Sequence, residues 1–76
     1  MLVVDGPKVR RLRLAAIRAD REFPPTLTGF AELARVDAGQ LSRIENGKRD
    51  RASFGWVARV ADTLGVPVEA VARDEV

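Results

Sequence analysis

A chain of 76 residues builds one domain at most, and at that size only about 60% of the unfolded surface becomes buried, so a dense apolar core has to hold the fold. Cysteine and histidine are both absent, which excludes disulfide staples and thiolate zinc sites and removes the usual general base; no catalytic residue, metal or cofactor is expected, and the chain is not expected to be an enzyme. The formal net charge is +2, with 46% hydrophobic and 32% charged residues, the balance of a soluble globular domain rather than a disordered or membrane one.

Apolar runs stop at about four residues, against the roughly 20 a spanning helix needs. No basic segment followed by a long apolar stretch opens the chain, so no signal peptide is expected and the cytoplasm is the expected compartment. Lys8 and Lys48 are the only lysines, which leaves eleven arginines. Arginine grips phosphate in a fork and reads guanine edges, but a GC-rich genome would give the same composition, so charge alone decides nothing.

In chain order, Asp5-Gly6-Pro7 places a capping carboxylate and a proline where a helix starts, and Val9, Leu12, Ala16 and Ile17 form one apolar face with Arg10, Arg11, Arg18 and Arg21 off it. This first helix is expected over about residues 7–22, stopped by Phe23-Pro24-Pro25. Thr26 or Thr28 caps a short second helix over about 27–34. Asp37 caps a third, over about 38–46, with Leu41 and Ile44 inward and Asn46-Gly47 as its stop. After the polar stretch Lys48-Arg49-Asp50-Arg51, Ser53 opens a fourth helix over about 53–64, carrying Trp56, Val57, Val60, Ala61 and Leu64 and ending at Gly65. Val66-Pro67 starts a last short helix over about 67–72. No run alternates as a half-buried strand does, so the expectation for residues 1–76 is a single all-α domain of five helices. Phe30, Leu33, Leu41, Ile44, Val57, Val60 and Leu64 are its expected core; Trp56 either covers that core or lies at a partner interface.

The run Phe30-Ala31-Glu32-Leu33-Ala34-Arg35-Val36-Asp37-Ala38-Gly39-Gln40-Leu41-Ser42-Arg43-Ile44-Glu45-Asn46-Gly47-Lys48-Arg49 resembles the Cro and phage-repressor (XRE) family of helix-turn-helix DNA-binding domains. The resemblance is dense over about residues 26–49 and looser through Ala61-Asp62-Thr63-Leu64-Gly65-Val66. It implies a lambda-repressor-like fold and a small regulator of transcription, such as a repressor, that binds double-stranded DNA with the third helix in the major groove. Two positions depart from the family pattern. Arg35 stands where the family has glycine, so either a non-glycine residue bears a left-handed conformation or the turn is shaped differently. Leu27 and Thr28 stand where a phosphate-binding glutamine is common.

By matching positions, the resemblance implies base contacts from Ala38, Gly39, Gln40, Ser42 and Arg43. Gln40 suits adenine, Arg43 suits guanine or a phosphate, and the small pair permits close approach or touches a thymine methyl. Thr28, Asn46, Lys48, Arg49 and Arg51 are the implied phosphate contacts. Glu45 is expected to reach back to an arginine of the first helix, Arg18 by its nearness to the proline link or Arg13 as the alternative. A half-site of four or five base pairs offers little specificity, so a homodimer is expected, through Val68, Val71 and Val76 on a spare face of the last helix. No membrane or small-molecule partner is expected. The rival reading is a protein-interaction module of the same fold, such as an antitoxin-like partner of another polypeptide.

Overall fold

Each α-helix begins at a side chain that accepts one of its unpaired backbone amides. The computed structural model describes residues 1–75, and in it α1 (Gly6–Ala19) is capped by Asp5, whose Oδ1 accepts the Lys8 amide at 3.1 Å. Thr26, and not Thr28, caps α2 (Leu27–Ala34) by accepting the Gly29 amide at 3.0 Å. Asp37 caps α3 (Ala38–Glu45) through the Gln40 amide at 2.8 Å, and Ser53 caps α4 (Phe54–Leu64) through the Trp56 amide at 3.1 Å. α1 stops three residues short of the expected Glu22. Asp20 Oδ1 accepts the Glu22 amide at 2.9 Å, and this local turn diverts the backbone before the prolines are reached.

The expectation of an all-α fold with five helices is corrected on two counts. Three strands, β1 (Leu2–Val4), β2 (Arg51–Ala52) and β3 (Ala72–Asp74), form an antiparallel sheet in the order β2-β1-β3. Leu2 lies opposite Ala52 on one side and Asp74 on the other, and Val4 lies opposite Ala72. The expected fifth helix shrinks to a three-residue 3-10 turn, Val68–Ala70, because the chain beyond Val71 is drawn into pairing with β1. The molecule is thus four helices and a small sheet, and helical periodicity could not reveal strands of two or three residues whose partners lie some fifty to seventy positions away.

The core gathers Val9 from α1, Phe30, Ala31 and Ala34 from α2, Leu41 and Ile44 from α3, and Val57, Val60 and Ala61 from α4. Phe23 packs beside Phe30 with ring centroids 5.7 Å apart, so the proline link is tied down by an aromatic pair. Val4 and Ala52 bring the sheet onto the same core, Val71 enters it just before β3, and Trp56 joins it at 7% exposure. Leu33 is corrected out of the core: Phe30, Ala31 and Ala34 set the inward face of α2, and Leu33 projects from its flank, 58% exposed. Leu64 packs against the core without being fully buried. No helix is long and apolar enough to cross a membrane among the described residues.

Candidate nucleic-acid interface

The connection from α2 to α3 is three residues long, Arg35-Val36-Asp37. Arg35 adopts φ 61° and ψ 45°, the only positive φ outside glycine among the described residues. Its amide reaches the Glu32 carbonyl at 3.2 Å while the Val36 amide reaches Ala31 at 3.0 Å. The same pair of bonds closes α3, where Gly47 donates to Ile44 and Lys48 to Arg43, and α4, where Gly65 donates to Asp62 and Val66 to Ala61. Three helix ends therefore share one left-handed stop, two built on glycine and one on arginine. The left-handed stop is kept, and the departure at Arg35 is borne as backbone strain rather than as a different turn.

A left-handed conformation costs a residue with a Cβ roughly 1–2 kcal/mol, and glycine gives back part of this through its freer unfolded chain. The Arg35 side chain is exposed. Arg35→Gly is expected to stabilise the protein by about 1 kcal/mol, several degrees in Tm at this chain length. Thermal unfolding followed by the emission of Trp56, the sole tryptophan, measures it; an unchanged or lower Tm would show that the arginine makes contacts offsetting its strain.

α3 is held from behind. Leu41 and Ile44 are buried in the core, and Glu45, 5% exposed, is clamped by Arg13 of α1, whose Nε and Nη2 donate to Oε2 and Oε1, both at 2.8 Å. This fork is nearly shielded from water. The Glu45 hydrogen bonds, and its negative charge, raise the already high pKa of Arg13 against the opposing effect of burial, so the guanidinium stays charged. Arg18 is corrected out of this role. It sits nine residues from buried Val9, on the opposite side of α1, and is exposed. Beside the clamp, Gly6 lies so close to α3 that a Cβ on it would overlap the Ile44 carbonyl oxygen and stand 2.8 Å from the carbonyl carbon.

The opposite side of α3 faces solvent. Gly39 and Arg43 are exposed, and Ala38, Gln40 and Ser42 are half-buried. A Cβ built on Gly39 would stand 3.5 Å from Arg43 Nη1, so the guanidinium lies along the first turn of α3, over the glycine. Asn46 Nδ2 donates to Ser42 Oγ at 3.3 Å, which joins the end of α3 to the following loop. Lys48 and Arg49 are exposed there, and both of their amides are tied to the Arg43 carbonyl. Arg49 Nε also donates to the Arg51 carbonyl at 3.1 Å.

Strand β1 supplies what the sequence reading missed. Its Val4 amide donates to the Asp50 carbonyl at 2.7 Å, and Leu2 and Val3 pair with Ala52 and Arg51, so the basic loop is pinned at its far end by the sheet. The run Leu2-Val3-Val4, rich in β-branched residues, was the available signal. Arg51 consequently stands on β2, with its Nε 3.2 Å from Glu75 Oε1, a half-exposed pair of small energetic weight. Thr28 is exposed near the start of α2.

Of the expected dimer residues, Val71 is 1% exposed and committed to its own core, which removes it from any interface. Val68 packs partly against that core. Val76 lies outside the described residues.

Short helices, a tight αL turn and a buried brace behind a solvent-facing second helix define a helix-turn-helix class of protein. The family described as a helix-turn-helix domain matches residues 6–73, nearly the whole chain, and the protein belongs to it. No curated protein and no solved structure matches the chain closely enough to refine that assignment.

Proposed function

We propose that the protein is a sequence-specific double-stranded DNA-binding regulator of transcription, of the Cro and phage-repressor type, with α3 entering the major groove. The observation that carries this reading is the two-sidedness of α3. One side is locked to the core and to Arg13, while the other offers Gln40 and Arg43 beside a loop whose Lys48 and Arg49 make no ion pair among the described residues. A rigid reading face flanked by free cations is the arrangement that base recognition between two phosphate strands requires. Such a role needs no catalytic group, in keeping with the absence of histidine and cysteine.

Gln40 and Arg43 then read base edges, with Ala38, Gly39 and Ser42 allowing the helix to approach, while Asn46, Lys48, Arg49 and Thr28 hold phosphates. Arg51 joins them by exchanging its weak pair with Glu75 for a phosphate. Two copies acting on a symmetric site supply the specificity that one half-site lacks. With Val71 buried, the surface left for a second copy lies around Leu2, Phe54, Val68 and Ala72, where Phe54 is 63% exposed.

Selection of bound sequences from a random duplex library, followed by titration at several salt concentrations, tests the whole reading. Arg43→Ala and Gln40→Ala are expected to weaken the selected site by about 1–3 kcal/mol and to relax preference at one base pair each; Lys48→Ala and Arg49→Ala should weaken all sequences alike and lower the salt slope by about one. A two-fold symmetric consensus would establish the homodimer, and an asymmetric one would exclude it. Binding that is absent, or indifferent to salt, would instead favour a protein partner for the same surface.

A further inference from the structure

The most basic element of the molecule is not α3 but α1, which carries five cations and no acidic residue between Gly6 and Ala19. Arg13 is consumed by Glu45. Lys8, Arg10, Arg11 and Arg18 make no ion pair among the described residues, and they differ in where the helix points them. Arg11 and Arg18, seven residues apart, share the ridge opposite buried Val9. Lys8 lines a groove beside β3.

Arg10 is placed otherwise. It stands four residues after Gly6 and three before Arg13, so all three lie along one flank of α1. Gly6 abuts the Ile44 carbonyl and Arg13 holds Glu45. That flank therefore runs along the last turn of α3, and Arg10 is the exposed cation between the two contacts. The next residues of the chain, Asn46 to Arg49, are the basic loop. We propose that Arg10 is a further phosphate-binding residue, completing with Lys48 and Arg49 a cluster of three cations at the C-terminal end of α3. This rests on the DNA-binding reading above and extends the surface onto a helix outside the helix-turn-helix itself.

Every neutralised phosphate releases condensed counterions, and one contact contributes about 0.9 to the slope of log affinity against log salt. A neutral variant of Arg10 should thus lose close to one unit of slope, about fivefold in affinity near 0.15 M salt, on any sequence. The probe is a labelled mixed-sequence duplex of about 20 base pairs, titrated by anisotropy between about 50 and 200 mM salt with the wild type, Arg10→Gln, Arg10→Lys and Arg18→Gln. Arg18→Gln removes the same charge from the far ridge. The proposal expects the slope to fall for Arg10→Gln, to recover for Arg10→Lys and to hold for Arg18→Gln, with Trp56 emission unchanged in all four. Equal losses for Arg10→Gln and Arg18→Gln, or no loss for either, beside a steep wild-type slope, would overturn the role of Arg10 and leave DNA binding standing. A flat wild-type slope would overturn the DNA reading and this proposal together.

Discussion

Arg13→Met is expected to destabilise the protein by about 3–5 kcal/mol, because it leaves the Glu45 carboxylate buried on the inner side of α3 with no cation to answer it. For a domain of this size that is a large share of the total stability, and urea unfolding followed by Trp56 should show a midpoint shifted far down or a chain already unfolded. The reverse truncation, Glu45→Leu, strands the guanidinium in the same place and should cost a similar amount. Combining the two replaces the fork with apolar side chains, and such replacements are often neutral or stabilising, so the double variant should recover most of the loss. Single variants that each cost less than about 1 kcal/mol would show that the pair is open to water and energetically idle.

Gly6→Ala carries the second largest expected effect. The added methyl overlaps the Ile44 carbonyl, and since the obstacle is backbone it is not relieved by turning a side chain. α1 must move off α3, which should cost about 3 kcal/mol, the upper part of the range for overpacking, and lower Tm by more than ten degrees. Gly55→Ala is the matched control. Gly55 is an exposed residue in the first turn of α4 with nothing within 4 Å of a built Cβ, and there the same change should stabilise by about 0.5–1 kcal/mol. Thermal unfolding of both variants checks the pair, and shifts of the same sign would refute the assigned close approach.

These residues also mark where the sequence was readable. The starts of the helices were legible because caps act locally: Asp5, Asp37 and Ser53 each lie three residues before the amide they satisfy, and the choice between Thr26 and Thr28 was open only because both are threonines at the same helix start. Of the two arginines expected to reach Glu45, nearness to the proline link favours Arg18, but helical phase selects Arg13. Val9 and Arg13, four apart, share the inward face, whereas Arg18 falls opposite. The sheet was not legible from periodicity, since its strands are too short to alternate and its stability comes from pairing across the chain. With it went the reading of Val71 as an interface residue, because the segment read as a helix with a spare face buries that valine in its own core. The exposed side of α3 was implied by the family resemblance, as was a brace from Glu45 to an arginine of the first helix, where Arg13 stood as the alternative.

The pairing of β1 with β3 gives the backbone a nearly annular course. Leu2 and Asp74 lie opposite one another, so the route through the fold ends where it began. Closing a loop of about seventy residues is inexpensive for its length, since each doubling adds only about 0.6 kcal/mol of chain entropy. What matters to such a fold is the spatial order of its elements rather than the order in which they are threaded. A circular permutant opened between Asp20 and Pro25, outside every helix, and sealed by a short linker between the two strand ends would keep the turn, the brace behind α3 and the sheet that pins its loop.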